Sequence, residues 1–91
     1  MKINITNHAQ IRLCERVKSH RGYRNWNVYV ETAVKEGRAK ARMKAFERKW
    51  VDRNIRYLSH NQELKMYNGF AFLLARTDEE ECSLVTVIKV A

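Results

Sequence analysis

An Asn68-Gly69 pair between two apolar runs, KMY and FAFLL, is the feature that most constrains how this chain can fold. Asn and Gly both tolerate positive φ, which the tightest hairpin turns require. A second polar turn, TDEEE, precedes the β-branched run CSLVTVIKV. Such runs are typical of strands that are at least partly covered on both faces. The last third of the chain therefore predicts a three-stranded antiparallel meander.

The first two thirds of the chain have apolar residues at helical spacing, which predicts three helices. The first is predicted to begin with Asn7 as its N-cap, because Gln10 follows at capping-box spacing. The second extends from about residue 25 or 27 to Gly37, a typical residue at a helix C-terminus. The third extends over about 43–58.

These elements predict an α+β fold with three N-terminal helices packed on one face of a three-stranded antiparallel β-meander. At 91 residues, the chain is expected to form a single domain over 1–91. The polar segment VKSHRGYRN, 17–25, is expected to be a loop. The stretch RAKARMK, 38–44, fits both an irregular lead-in to the third helix and an extended strand with one basic face.

The net charge of +8 and the pI of about 9.9 favour a polyanionic partner. Nucleic acid is the first expectation, ahead of an anionic membrane and an acidic protein. No apolar run approaches the ~20 residues that span a bilayer, and MKINIT is too short and polar for a secretory signal. The sequence thus predicts a cytoplasmic protein with no membrane partner; no oligomeric state is predicted.

No metal or other cofactor is expected. The three histidines, His8, His20 and His60, lie far apart in the sequence and do not have zinc-site spacing. The two cysteines, Cys14 and Cys82, are expected to be reduced, buried and inert.

The strongest electrostatic feature is the stretch 38–56, in which eight cations accompany two acids. Phe46, Trp50 and Tyr57 are interleaved with the cations. Their spacing predicts that they face the core and that the cations form the exposed side of an amphipathic helix. The alternative is that the rings stack on unpaired bases. In both cases the cations are candidates for nucleic-acid binding: Arg38, Lys40, Arg42, Lys44, Arg48, Lys49, Arg53 and Arg56.

A second candidate site lies on the first helix. A helical wheel predicts that His8, Arg12 and Arg16 share one arc with Glu15. The opposite side is expected to face the core, and its apolar residues are Ala9, Ile11, Leu13, Cys14 and Val17. The arc is either a solvated face with ordinary ion pairs or a phosphate-binding and proton-transfer face.

Such a face could support RNA cleavage without a metal, in which the 2′-OH attacks the adjacent phosphate. This reaction needs a base, an acid and cations for the developing charge. His8 is the candidate for one proton transfer, and Arg12 and Arg16 are the candidate cations. The second proton carrier has no clear motif; Tyr67, His60 and Lys65 are candidates, and Thr86 could hydrogen-bond the phosphate.

The motifs ITNHAQIRLCER, AVKEG, KMYNGFAFLL and LVTVIKV resemble those of small proteins of phages and Gram-positive bacteria. These are similar to the family called domain of unknown function 4258, which is placed in the broad fold class of RelE-like, barnase-like and colicin-type RNases and toxins. The resemblance covers most of the chain. It implies a helix-then-sheet domain with an RNase-like site at His8, Arg12, Arg16 and Thr86.

Two functions are therefore predicted for testing. The first is a basic RNA-binding domain with RNase- or toxin-like architecture, whose narrower form is a metal-independent endoribonuclease; RNA is favoured over DNA. The second is a non-catalytic protein of a phage or mobile element that binds a host protein or nucleoprotein, as an anti-defence factor or regulator.

Overall fold

A four-stranded mixed β-sheet is the centre of the computed structural model, which describes residues 2–17 and 26–90. The strands, in the spatial order β1-β4-β3-β2, are β1 (Lys2–Ile5), β2 (Gln62–Tyr67), β3 (Phe70–Arg76) and β4 (Glu81–Lys89). The helices in the described part of the chain are α1 (Asn7–Arg16), α2 (Trp26–Glu36) and α3 (Ala45–Asn54), with a 3-10 turn at Lys40–Arg42. Apart from Val17, the loop predicted at 17–25 lies outside the described residues.

The molecule is an α+β mix, but the predicted three-stranded antiparallel sheet is wrong. β2, β3 and β4 do form an antiparallel meander, and β1 adds a fourth strand that lies parallel to β4. β1 has four residues, KINI, too few to show a strand periodicity. Its pairing partner Glu81–Leu84 is at the other end of the sequence, so no local signal predicts the pairing.

The predicted Asn-Gly hairpin is confirmed. Asn68 and Gly69 connect β2 to β3 with φ values of 52° and 81°. Positive φ at both central residues matches the right-handed twist of the flanking strands. The turn sets the register that pairs Tyr67 with Phe70 and Met66 with Ala71.

The helices cover two faces of the sheet, so the prediction that all three pack on one face is also wrong. Along β3, Phe72 and Leu74 belong to a first core with the buried residues of α1 and α2. Ala71, which lies between Phe70 and Phe72, belongs to a second core with Val51 of α3. Because side chains alternate between faces along a strand, the two cores lie on opposite faces.

The inward side of α1 is narrower than predicted. Ala9, Leu13 and Val17 are fully buried, whereas Ile11 and Cys14, both predicted to face the core, are exposed. The N-cap is Thr6 rather than Asn7, since the Thr6 hydroxyl accepts a 3.1 Å hydrogen bond from the Ala9 N–H. His8 remains in the first turn, as the sequence predicted.

The end of α2 depends on a residue without a side chain. The Gly37 N–H donates to the Ala33 carbonyl at 2.8 Å, and α2 ends at Glu36, as predicted. A Cβ at Gly37 would lie 2.3 Å from that carbonyl oxygen and 3.0 Å from the Cβ of Lys65 in β2. The last turn of α2, whose own carbonyl a Cβ would meet, therefore requires glycine, and the tight approach of Lys65 adds to this requirement.

We predict that Gly37→Ala lowers the free energy of unfolding by about 1–3 kcal/mol, because the backbone must shift to relieve the contact. Chemical denaturation measures this change. The neighbouring exposed substitution Glu36→Ala should change it by less than about 0.5 kcal/mol. Equal stability of the Gly37→Ala and wild-type proteins would contradict the close-approach argument.

Candidate nucleic-acid interface and edge cluster

The outer edge of β4 is covered by two different elements. β1 pairs only with Glu81–Leu84, although β4 continues to Lys89. The Thr6 hydroxyl lies 3.0 Å from the Leu84 carbonyl and 3.3 Å from the Val85 carbonyl. Farther along, a guanidinium nitrogen of Arg16 donates to the Val87 carbonyl at 2.7 Å. Polar groups flanking and within α1 thus bind the edge carbonyls of β4 from the end of the β1 pairing onward.

His8 and Thr86 meet at this edge. The Nε2 atom of His8 lies 3.2 Å from the Oγ1 atom of Thr86, in an exposed setting. A β-bulge lies close by, because Leu73 pairs with Thr86 while Leu74 pairs with Leu84. The extra residue, Val85, changes the direction of the following side chains. We call His8, Arg16 and Thr86 the edge cluster.

The other two predicted catalytic residues have different surroundings. Arg12 forms a 3.0 Å ion pair with Glu15 on α1. Tyr67 is on β2, two strands from β4, where its ring centroid lies 6.0 Å from that of Tyr29 and 6.4 Å from that of Phe72. The structure therefore brings two of the five predicted residues, His8 and Thr86, into contact and anchors Arg16 at the next residue of β4, Val87. Their catalytic role remains a prediction.

The alternative second proton carriers also lie on the β2 side of the sheet. His60 is exposed in the turn before β2, and Lys65 is within β2, with its Cβ beside Gly37. β4 is separated from β2 by β3. Neither side chain belongs to the edge cluster.

The basic stretch is organised by a buried acid that the sequence reasoning missed. Glu47 is 3% exposed. Its Oε1 accepts from the Lys44 backbone N–H and its Oε2 from the Arg38 guanidinium, both at 2.8 Å. Arg38 also forms a backbone bridge with Met66, the N–H of each donating to the carbonyl of the other at 2.9 Å. Glu47 therefore connects the start of α3 to the edge of β2.

A signal for this role was present in the sequence. Glu47 lies three residues after the N-cap Lys44, where a carboxylate can accept from a free N–H. It also lies four residues before Val51, on the same side of the helix. Acids in basic stretches are usually solvated, so this spacing alone does not predict a buried carboxylate.

Most of the cations around α3 are exposed. Arg38 is half-buried by its pair with Glu47, and the other seven predicted binding residues are exposed. Lys40 lies 3.4 Å from Asp52 in a pair whose side chains are both more than 60% exposed. Arg48 donates to the Ala41 carbonyl at 2.8 Å. Both acids of the stretch are thus already paired, and the surface around α3 is strongly positive.

The predicted burial of the aromatic residues is wrong for two of the three. Phe46 is 56% exposed and Tyr57 is 81% exposed. Trp50 is half-buried against the second core. The spacing of the rings predicted that Phe46 and Trp50 lie on the inward side of the helix, but the inward residues of α3 are Glu47 and Val51. We call Phe46, Lys49, Arg53, Arg56 and Tyr57 the α3 surface.

The two cysteines of the described chain are not joined: Cys14 is exposed and Cys82 is buried. Burial raises the pKa of the Cys82 thiol, and the nearby Arg76 opposes this only in part. The side chain belongs to the first core. Cys82 is therefore a packing residue and a poor nucleophile.

Comparison with known proteins does not assign a family. No protein-family model matches the chain, and no curated protein or solved structure is significantly similar to it. Within 2–17 and 26–90, no three His, Cys, Asp or Glu side chains are grouped so that they could hold a metal ion. No helix of this described part is long and apolar enough to cross a membrane.

We predict that Glu47→Gln lowers the free energy of unfolding by about 1–3 kcal/mol, because it leaves the Arg38 guanidinium without its anionic partner. Asp52→Asn is the matched control: it makes the same chemical change in the same helix, in an exposed pair. That substitution should cost no more than about 0.5 kcal/mol. Equal losses in urea denaturation would show that burial of Glu47 is not what makes its pair important.

Proposed function

We propose that the chain is a small nucleic-acid-binding domain that holds the phosphate backbone of RNA on the α3 surface and the cations next to it. The observation that carries the proposal is the exposed, one-signed charge around α3, where both acids are occupied by cations. Lys49 and Arg53 are neighbours on the helix at i and i+4, and both are exposed. Phosphates are the groups that such a row of cations binds best.

The preference for RNA over DNA does not come from the charge of the α3 surface. Cations on a helix attract both polymers. The motifs of α1, the hairpin and β4 resemble those of proteins placed among RNase-like folds, and this resemblance favours RNA. An anionic membrane is disfavoured because Val51 and the half-buried Trp50 of α3 are already used in the second core.

We predict that RNA binding falls steeply with salt and depends on the α3 cations. The double substitution Lys49→Glu/Arg53→Glu should weaken binding about tenfold or more near 100 mM salt and reduce the slope of log K against log salt. Fluorescence anisotropy with a labelled RNA oligonucleotide measures both. A control with the same change in net charge is Lys35→Glu/Lys89→Glu, at two exposed sites outside α3.

Equal weakening in both double variants would indicate only a net-charge effect and would argue against a defined surface. Absence of RNA binding at low salt would reject the proposal. If a tight protein partner were then recovered after nuclease treatment, the alternative of a host-protein-binding factor would be supported.

A second and narrower proposal is metal-independent RNA cleavage at the edge cluster. The observation that favours it is the 3.2 Å contact between His8 and Thr86, with Arg16 bound to the neighbouring part of β4. In this reaction the 2′-oxygen forms a bond to phosphorus and the bond from phosphorus to the 5′-oxygen breaks. A base takes the 2′-OH proton and an acid protonates the leaving 5′-oxygen. His8 would perform one of these transfers.

We predict that the purified protein cleaves RNA in the presence of EDTA, leaving a 2′,3′-cyclic phosphate, and that His8→Ala reduces the rate by about 100-fold or more. His60→Ala removes another exposed histidine, in the turn before the opposite edge strand β2, and should leave the cleavage rate unchanged. Gel analysis of a labelled RNA measures the rate. Cleavage that persists in the His8→Ala protein would exclude His8 from the reaction.

A further inference from the structure

The α3 surface has two exposed aromatic rings, those of Phe46 and Tyr57, and phosphate binding does not explain their presence. Phe46 and Tyr57 are two of the four large hydrophobic side chains that are exposed in the described part of the chain. Single exposed apolar residues are common on protein surfaces. Here, however, Phe46 lies within the most positive segment and Tyr57 directly follows it, and cations alone would suffice to bind phosphate.

Both rings project from a backbone that is held in place. Phe46 precedes Glu47, whose buried carboxylate binds Arg38 and the Lys44 N–H. Tyr57 lies between Ile55 and Leu58, both of which pack against the second core. The structure therefore presents each ring outward from an anchored position, so little chain entropy is lost when a ligand contacts it.

The cations lie where they could accompany a stacked base. At ~100° per residue, Phe46, Lys49 and Arg53 fall within an arc of about 60° on α3. Lys49 is about 4.5 Å and Arg53 about 10.5 Å farther along the helix axis than Phe46, from the 1.5 Å rise per residue. Arg56 immediately precedes Tyr57. Phe46 thus has Lys49 and Arg53 on its own side of α3, and Tyr57 has Arg56 as its chain neighbour.

We propose that Phe46 and Tyr57 are stacking platforms for unpaired bases, so that the ligand class is single-stranded RNA and not a duplex. The inference rests on the proposed RNA-binding function. In a duplex the base faces are already covered by neighbouring base pairs, and only the phosphates are accessible to a flat helical surface. An unpaired base offers its face to a ring while a cation binds the adjoining phosphate, which is how single-strand-binding proteins gain affinity.

The test compares three probes of equal length by anisotropy: a single-stranded RNA, its duplex, and an abasic strand that has the phosphates without bases. Phe46→Leu and Tyr57→Leu remove the rings and keep apolar side chains at exposed positions, so folding should be preserved; circular dichroism checks this. Each should weaken binding of the single strand about 5- to 100-fold. Neither should change binding of the abasic strand. Phe46→Trp and Tyr57→Phe should retain wild-type affinity, and Val28→Ala, at an exposed apolar site on α2, is the control.

The failures of the two proposals are distinguishable. If no probe binds, the RNA-binding function itself is rejected. If all three bind equally and the leucine variants match the wild type, RNA binding stands and the stacking inference is overturned. Equal weakening for the abasic strand and the single strand would also overturn it, since the loss would then not come from bases.

Discussion

The difference in length between β1 and β4 is the constraint on which this structure most depends. β1 offers four residues to a strand of nine, so half of the edge of β4 lacks a neighbouring strand. An exposed edge carries unpaired carbonyls and invites pairing with another chain. α1 follows β1 after a single residue, Thr6, and covers this half-edge. Its direction is consequently set by β4, as the bonds from Thr6 and Arg16 to edge carbonyls show.

As a result, one side of α1 faces the core and another side faces the edge of β4. Ala9, Leu13 and Val17 enter the first core, while the flank that follows the strand edge carries polar side chains. Arg16 stabilises the edge through its bond to Val87, and a guanidinium retains further N–H donors after one such bond. A structural bond to β4 and a contact with a phosphate are therefore compatible for the same side chain. The same edge places His8 against Thr86, so the candidate chemistry follows from how the edge is covered.

The sequence predicted best those features that are determined by residues close together in the chain. The Asn68-Gly69 turn and the end of α2 at Gly37 follow from backbone preferences of single residues, and both were predicted. β1 could not be predicted, because its pairing depends on a strand at the other end of the chain. The helical wheel of α1 wrongly predicted that Ile11 and Cys14 face the core. A helix that covers a strand edge buries a narrower arc than one that lies on a sheet face. The predicted burial of the aromatic residues around α3 was wrong because the buried carboxylate of Glu47 occupies the inward position that Phe46 was expected to take.

α3 carries a charge pattern that opposes its own formation. Cations at i and i+4, such as Lys49 and Arg53, repel each other, and Lys44 and Arg48 lie in or beside the first turn, where the helix dipole disfavours positive charge. Glu47 offsets part of this cost, and Val51 anchors the helix to the second core. A polyanion on the outer side would reduce the remaining repulsion. Binding there would therefore also stabilise the fold, by the linkage between ligand affinity and unfolding, so the proposed RNA ligand would offset part of the repulsion among the α3 cations.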